Sequence, residues 1–141
     1  PCLVLGNALT PHYVGMHEGF RLNMQVASAQ FDAIRSLADK GNCIFVGRCA
    51  DYILRSRPGL VRVFVMADEE FRVRTLMKRK SITEDQAWKL MKEVDKDRSS
   101  YYKYYTDQIW GEAGYYDLCI NSGLVGVKGA VRVIKAYMEA M

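Results

Sequence analysis

A glycine and an arginine, Gly47 and Arg48, directly follow the apolar run "CIFV", which is typical of a buried strand. A guanidinium stays charged at neutral pH and forms two charge-assisted hydrogen bonds to adjacent phosphate oxygens. The glycine leaves room for a ligand to approach the backbone. In α/β sheets ligands bind beyond the carboxyl ends of the strands, where we expect Arg48. The alternative is an ion pair with Asp51 or another carboxylate that holds a loop, and the spacing alone leaves both interpretations open.

A second candidate constellation is the sequence "DKDR", which places Asp95 and Arg98 three residues apart in a helix-like stretch. Residues at this spacing share one helix face, so the carboxylate and the guanidinium could contact one ligand together. The alternative is a surface ion pair, which stabilises a protein by under about 1 kcal/mol.

Basic side chains are concentrated in the segment before this helix. They are Arg72, Arg74, Lys78, Arg79 and Lys80. Phosphoryl transfer depends mainly on positioning and on neutralising charge spread over phosphate oxygens. A cationic segment over about residues 72–83 could therefore act as a lid over phosphates, with Arg72 and Arg79 as the strongest candidates for catalytic cations. The alternative is a solvated basic helix face.

Helices and strands alternate along the chain, which predicts a single α/β domain over residues 1–141, with a parallel sheet flanked by helices. The predicted strands are Cys43 to Val46, Leu60 to Ala67 and Tyr116 to Ile120, with "CLVLG" as a further short strand. The predicted helices begin near Phe20, after Arg48, after Asp68, at the capping box of Thr83 and Gln86, and at Val125. We expect the Asp68 side chain to cap the helix that follows it.

The aromatic run "YYKYY", Tyr101 to Tyr105, has two interpretations. Tyrosines can stack on bases, but more often they pack a helix against a neighbour with the hydroxyl at a wet edge. We favour packing here, and by the same argument we expect Trp110 to anchor its loop.

Composition restricts the class of partner. The 141 residues carry 20 basic and 16 acidic side chains, a net charge of +4, which suits an anionic small molecule and does not by itself indicate nucleic acid. We expect no membrane span and no signal peptide, hence a cytoplasmic protein with reduced cysteines. His12 and His17 lie in a segment without clear periodicity, so we expect no metal site there.

Three ordered segments resemble the cytidylate kinases and, more closely, the cytidylate kinase-like family. They are "GNCIFVGRCADYIL", "VFVMADEEFRVRTLMKRKSITEDQAWKLMKEVDKDRSSYYKYYTDQIWG" and "YYDLCINSG". "YYKYYT" and "WG" are features of the cytidylate kinase-like group. The resemblance extends from about Phe20 to about Met138 and implies a P-loop nucleoside monophosphate kinase fold.

The resemblance also implies roles for individual residues. Arg48 and Arg98 would hold the phosphate of an acceptor such as CMP, Asp95 would contact its ribose, and lid cations would neutralise the transferring group. The donor would be ATP with Mg²⁺, and no metal ligand of the chain is implied. The acceptor-binding set is Gly47, Arg48, Asp51, Asp95 and Arg98. Standard cytidylate kinases have Asp directly after this arginine, whereas here Cys49 follows and the acid comes at Asp51.

One expected motif is missing. The sequence contains no G-x-x-x-x-G-K-[ST] loop, which would turn backbone N–H groups and a lysine toward the ATP phosphates. In the family that loop follows a mid-sheet strand upstream of the matched segments. Two explanations stay open: the sequence is the C-terminal portion of a longer chain, incomplete at its N-terminus, or "CLVLG" fills the middle of the sheet.

The first functional hypothesis is therefore a cytidylate kinase-like phosphotransferase, with no turnover expected from these 141 residues alone. The alternative is a non-catalytic module that senses a nucleotide or pairs with a partner chain through the Tyr/Trp surface, and a homo-oligomer is compatible with it. A third option is a kinase of another small anionic substrate on the same fold.

Overall fold

A computed structural model describes residues 2–5 and 19–141. The four strands are β1 (Cys2–Leu5), β2 (Cys43–Val46), β3 (Leu60–Met66) and β4 (Leu118–Asn121). The five α-helices are α1 (Gly19–Asp39), α2 (Ala50–Ile53), α3 (Glu69–Lys80), α4 (Glu84–Thr106) and α5 (Ser122–Glu139), and a 3₁₀ turn covers Ala113–Tyr115. The predicted α/β class is confirmed.

The strands form one sheet in the order β2-β1-β3-β4, and every neighbouring pair is parallel. Cys2 is in register with Cys43 on one side and with Leu60 on the other, so β1 lies in the middle of the sheet. The sequence left two explanations for the missing ATP loop, and one of them required "CLVLG" to fill the middle of the sheet. The structure contains that strand as β1. All carboxyl ends meet at one edge, which is where ligands bind in such sheets.

Apolar side chains cover both faces of the sheet, as the sequence of β3 predicts, because it is apolar at every position except Arg62. On one face Val4 packs with Ile34 of α1 and Leu54 after α2. On the other face Val61 and Val63 pack with α5. The sheet is thus a rigid support for the residues that follow each strand.

Helices α3 and α4 form a pair with an apolar cluster of their own. Val73, Ala87 and Met91 are buried at its centre. The predicted capping box opens α4: the Thr83 hydroxyl accepts from the Gln86 backbone N–H, and the Gln86 side chain accepts from the Thr83 N–H. This pair includes the segment that the sequence indicates as a lid.

Two predictions differ from the structure. Asp68 stands at the start of α3, but its carboxylate makes no cap and accepts instead from the Asn121 amide at 3.2 Å. The assigned closing helix starts at Ser122, three residues before the predicted Val125, where the Asn121 side chain caps a short first turn by accepting from the Gly123 N–H. Gly126 is not helical (φ 67°, ψ 170°), so the continuous part of α5 follows Gly126, close to the predicted start. None of the helices in the described ranges combines the length and apolarity that crossing a bilayer requires.

Candidate functional site

The backbone turns sharply at the carboxyl end of β2. Gly47, Arg48 and Cys49 have φ angles of 70°, 58° and 56°, three left-handed residues in succession. Glycine adopts this region without steric cost, but for Arg48 and Cys49 it is disfavoured and costs about 1–3 kcal/mol each. Such strain persists only where the surroundings impose it, and it is concentrated at functional sites. The turn fixes the position from which the Arg48 side chain leaves the sheet edge.

The Arg48 guanidinium faces helices α1 and α4. Its Nη1 lies 3.4 Å from Oε1 of Gln30 on α1. On the other side, burial raises the pKa of the Tyr101 hydroxyl, and the close approach and charge of the Arg48 guanidinium oppose that rise. That hydroxyl oxygen is buried and makes no hydrogen bond of good geometry with any described residue. A buried phenol beside a guanidinium, which can only donate, still needs an acceptor for its own proton.

Further along α4, Asp95 connects two arginines. Arg72 of α3 donates two hydrogen bonds of 2.7 Å to the two oxygens of Asp95. Arg98 lies one turn further along α4, with Nη1 3.5 Å from Asp95 Oδ1. Burial lowers the pKa of Arg98 and the Arg72 charge adds to this, while Asp95 opposes both. The two guanidiniums and one carboxylate carry a net positive charge, which favours an anionic ligand.

Helix α4 aligns these groups. Asp95, Arg98 and Tyr101 are spaced three residues apart, so each lies beside the next on the surface of the helix. We call this line of side chains, with Arg72 and Arg48 beside it, the α4 row. The Arg98 guanidinium also lies 6.0 Å from the ring centre of Trp110. Since Tyr101 is beside Arg48, α4 connects the strand-end arginine to the Arg72–Asp95–Arg98 cluster.

Asp51 lies away from this row, inside the core. It is 5% exposed and accepts a 2.6 Å hydrogen bond from the Tyr102 hydroxyl. Burial raises its pKa, and the Tyr102 hydrogen bond opposes that rise. The ion pair with Arg48 that the sequence suggested as an alternative is not among the contacts of Asp51 in the described structure. The hydrogen bond to Tyr102 fastens α2 to α4, and acceptor binding by Asp51 stays a prediction.

A small polar cavity adjoins Asp51. Its volume is about 30 Å³, enough for water but far too small for a nucleotide. Arg62 of β3 lines it and donates two side-chain hydrogen bonds, of 3.0 and 2.6 Å, to Asp117. The Arg62 contact holds the pKa of Asp117 below its usual range. The remaining lining residues are Tyr52, Arg55, Gln108 and Tyr115.

Two comparisons with known proteins give a match. The sequence model of the cytidylate kinase-like family matches residues 4–124. The chain belongs to the cytidylate kinase-like family. It is also similar to the crystal structure of an uncharacterized protein from Eubacterium ventriosum ATCC 27560, with a TM-score of 0.80 and 32% sequence identity over 87% of this chain and 70% of that one. A search of curated proteins finds no match.

Within the cytidylate kinase-like fold, the predicted site residues separate into two groups. Gly47 and Arg48 at the strand end, and Arg72, Asp95 and Arg98 on the helices, lie along the α4 row. Asp51 is buried behind it. Arg79 is exposed in the last turn of α3, seven residues and so about 10 Å along the helix from Arg72.

Metal ligands were also considered. Among the residues that the structure describes, no group of three or more His, Cys, Asp or Glu side chains could hold a metal ion. His12 and His17 lie outside those residues.

The sequence did not identify Tyr101 and Gln30 as site residues. Tyr101 stands in the run assigned to packing, and most of that run does pack: Tyr105 meets Phe31 of α1 edge to face at 5.4 Å. Trp110 packs on Phe64 at 5.4 Å and anchors its loop as predicted. The available signal was the spacing of Tyr101 three residues beyond Arg98, which continues the Asp95–Arg98 face.

Proposed function

We propose that this chain binds a nucleoside monophosphate such as CMP at the carboxyl edge of the sheet, as the acceptor site of a kinase-like phosphotransferase. Arg48 and Arg98 hold the acceptor phosphate, Asp95 contacts the ribose, and Arg72 and Arg79 provide lid cations for the transferring phosphoryl group. Family membership supports a kinase-like role, and the α4 row supports an anionic ligand at this edge.

The observation that carries the proposal is the strained turn at Gly47, Arg48 and Cys49. Two adjacent non-glycine residues with positive φ cost stability that a merely structural loop could avoid. The conformation directs a guanidinium toward a buried hydroxyl that still has a proton to donate. A phosphate oxygen between Arg48 and Tyr101 would accept from both.

Asp95 can take part without losing its partners. Each carboxylate oxygen accepts more than one hydrogen bond, so Asp95 can accept from a ribose hydroxyl while it stays paired with Arg72. The bidentate pair fixes the carboxylate in position beforehand, which reduces the entropy lost when a ligand binds. Arg72 thereby acts through Asp95 as well as through its own charge.

The donor side does not fit the residues present. The sequence has neither the lysine nor the Ser/Thr of an ATP loop, and the described residues contain no carboxylate cluster for a metal ion. When bound, ATP with Mg²⁺ would supply the phosphoryl group and neutralise its charge. We derive no transfer step for these residues, and we expect no turnover from the 141-residue chain alone.

The missing loop also favours a second candidate, a non-catalytic nucleotide-binding or partner-binding module of the same fold. It would use the same Arg48–Tyr101 edge but would never release ADP. A third candidate, a kinase of a different small anion, predicts binding of an anion other than a nucleotide.

The test combines an assay and a binding panel. A coupled assay of ADP release with ATP, Mg²⁺ and CMP should show no turnover above a blank without protein. Titrations with CMP, UMP, AMP and inorganic phosphate should show saturable binding of at least one nucleotide that is tighter than binding of phosphate. Binding of no nucleotide would contradict the proposal.

A further inference from the structure

Two cysteine thiols face each other across the first two strands of the sheet. The Sγ atoms of Cys2 on β1 and Cys43 on β2 are 2.9 Å apart. The two residues are direct partners in the parallel register, each the first residue of its strand. Neighbouring strands lie about 4.8 Å apart, a separation that falls within the Cα–Cα range spanned by disulfides.

The two thiols differ in access. Cys2 is 3% exposed, whereas Cys43 is only partly buried and lies on β2, a strand at the edge of the sheet. An oxidant in solution therefore reaches the Cys43 thiol before the Cys2 thiol. The Cys2 thiol is then the nearest group that can react with the oxidised Cys43 sulfur.

The other cysteines are poorly placed to compete. Cys119 is on β4, at the opposite edge of the sheet, three strand spacings or about 14 Å from Cys43. Cys49 is buried in the turn after β2 and makes no thiol contact among the described residues.

We propose that Cys2 and Cys43 form an oxidation site that closes to a cross-strand disulfide in the presence of a peroxide. The Cys43 thiol gives up its proton as its sulfur attacks a peroxide oxygen, the O–O bond breaks, and the leaving hydroxide takes up that proton, so that a sulfenic acid and one water form. The Cys2 sulfur then attacks the sulfenic sulfur, the S–OH bond breaks, and a second water leaves. Overall two thiols lose two hydrogens and two electrons, and one hydrogen peroxide becomes two waters.

The bond would fasten the edge strand to the middle of the sheet. It closes a loop across a separation of 41 residues, which restricts the unfolded chain more than the folded one. The thiols are already in contact, so little rearrangement of the folded backbone is required. For a domain of this size, the entropy that the unfolded chain loses corresponds to a rise in Tm of about 8–16 °C.

The experiment treats the purified chain with hydrogen peroxide and analyses it by intact mass and by peptide mapping without reduction. We expect loss of two hydrogens, a linked pair of peptides containing Cys2 and Cys43, a rise in Tm, and reversal of all three by dithiothreitol. Cys119→Ser is the matched control and should still form the bond, while Cys43→Ser should not.

Two results would overturn the site. One is oxidation of Cys43 to sulfinic acid while Cys2 stays a free thiol. The other is a disulfide that always involves Cys119 and joins two chains. If Cys43→Ser folds poorly, alkylation of the parent protein in denaturant, before and after peroxide treatment, gives the same answer, because a disulfide removes two of the four alkylation sites.

Discussion

The guanidinium of Arg72 on α3 is bound to the carboxylate of Asp95 on α4 by two parallel hydrogen bonds, each 2.7 Å long. Sequence reasoning assigned these residues to different tasks, a lid cation and a ribose contact. The structure makes them one unit, to which Arg98 adds a second guanidinium. In the proposed function, the position of α3 and the position of the acceptor site are therefore coupled through one carboxylate.

Removal of that carboxylate charge should destabilise the fold. In Asp95→Asn, Arg72 and Arg98 stay close together without the anion that offsets their repulsion, and both are less than one-third exposed. We expect a loss of about 1–3 kcal/mol in the free energy of unfolding, measured with urea. Glu70→Gln, which breaks an exposed pair with Arg74, should cost under about 0.5 kcal/mol. Equal unfolding midpoints for the two variants would contradict this description of the cluster.

Asp51 should make stability depend on pH in the direction opposite to most carboxylates. Its pKa is raised by burial, so the folded state binds its proton more tightly than the unfolded state. Stability from this group is present below the usual carboxyl pKa of about 4 and is lost as pH rises through the raised value. The Asp51→Asn side chain keeps an oxygen that accepts from Tyr102, but it does not ionise, so it does not lose stability as the pH rises.

The free energy of unfolding of Asp51→Asn should therefore rise relative to the parent protein as pH increases from about 4 to 7. Urea titrations across this range measure the difference, with the exposed Asp97→Asn as control. A difference that stays constant with pH would show that Asp51 titrates normally.

Asp117 provides the contrasting case. The Arg62 contact depresses its pKa, so its contribution is present above the usual carboxyl pKa and is lost as pH falls through the depressed value. We expect Asp117→Asn to cost about 2 kcal/mol at pH 7, because a charged donor loses its anionic partner. The cost should shrink as the pH approaches about 3. A cost that persists unchanged in acid would instead indicate a packing defect.

The sequence predicted the fold well because its signals are local. Apolar runs, the Thr83–Gln86 capping box and the basic end of α3 each specify an element within a few residues. The central position of β1 was left open, since it depends on pairing with strands about 40 and 60 residues away. Asp68 illustrates the limit: its local pattern predicts a cap, but its contact is with Asn121, 53 residues later.

For the proposed site, the sequence singled out candidate groups by residue type but did not show their contacts, and their roles stay predictions. Gly-Arg and "DKDR" stand out by residue type, and they do lie along one row. The burial of Asp51 could not be predicted, because it results from packing of α2 against Tyr102, 51 residues away. Tyr101 was assigned to packing because its run is aromatic, and only the position of Arg48 shows that its hydroxyl faces a charge.

Tyr101→Phe should weaken binding of a nucleoside monophosphate without unfolding the protein. The substitution keeps the ring and removes the buried hydroxyl that we propose donates to the phosphate. Loss of a hydrogen bond to a charged acceptor corresponds to about a tenfold rise in Kd. Tyr104→Phe, at an exposed position on the same helix, is the matched control and should bind like the parent. Equal Kd values for both variants would remove Tyr101 from the site.

Arg48 is the central residue of the proposed acceptor site. Titration calorimetry of CMP into the parent chain, Arg48→Lys and Arg48→Ala tests the role of this residue most directly. We predict saturable binding to the parent. Arg48→Lys should bind CMP at least about tenfold more weakly, because lysine keeps the charge but cannot form the bidentate hydrogen bonds of a guanidinium to a phosphate. Arg48→Ala should show no measurable binding. If all three proteins bind CMP with the same Kd, the strained turn after β2 has no part in ligand binding and the proposed acceptor site is wrong.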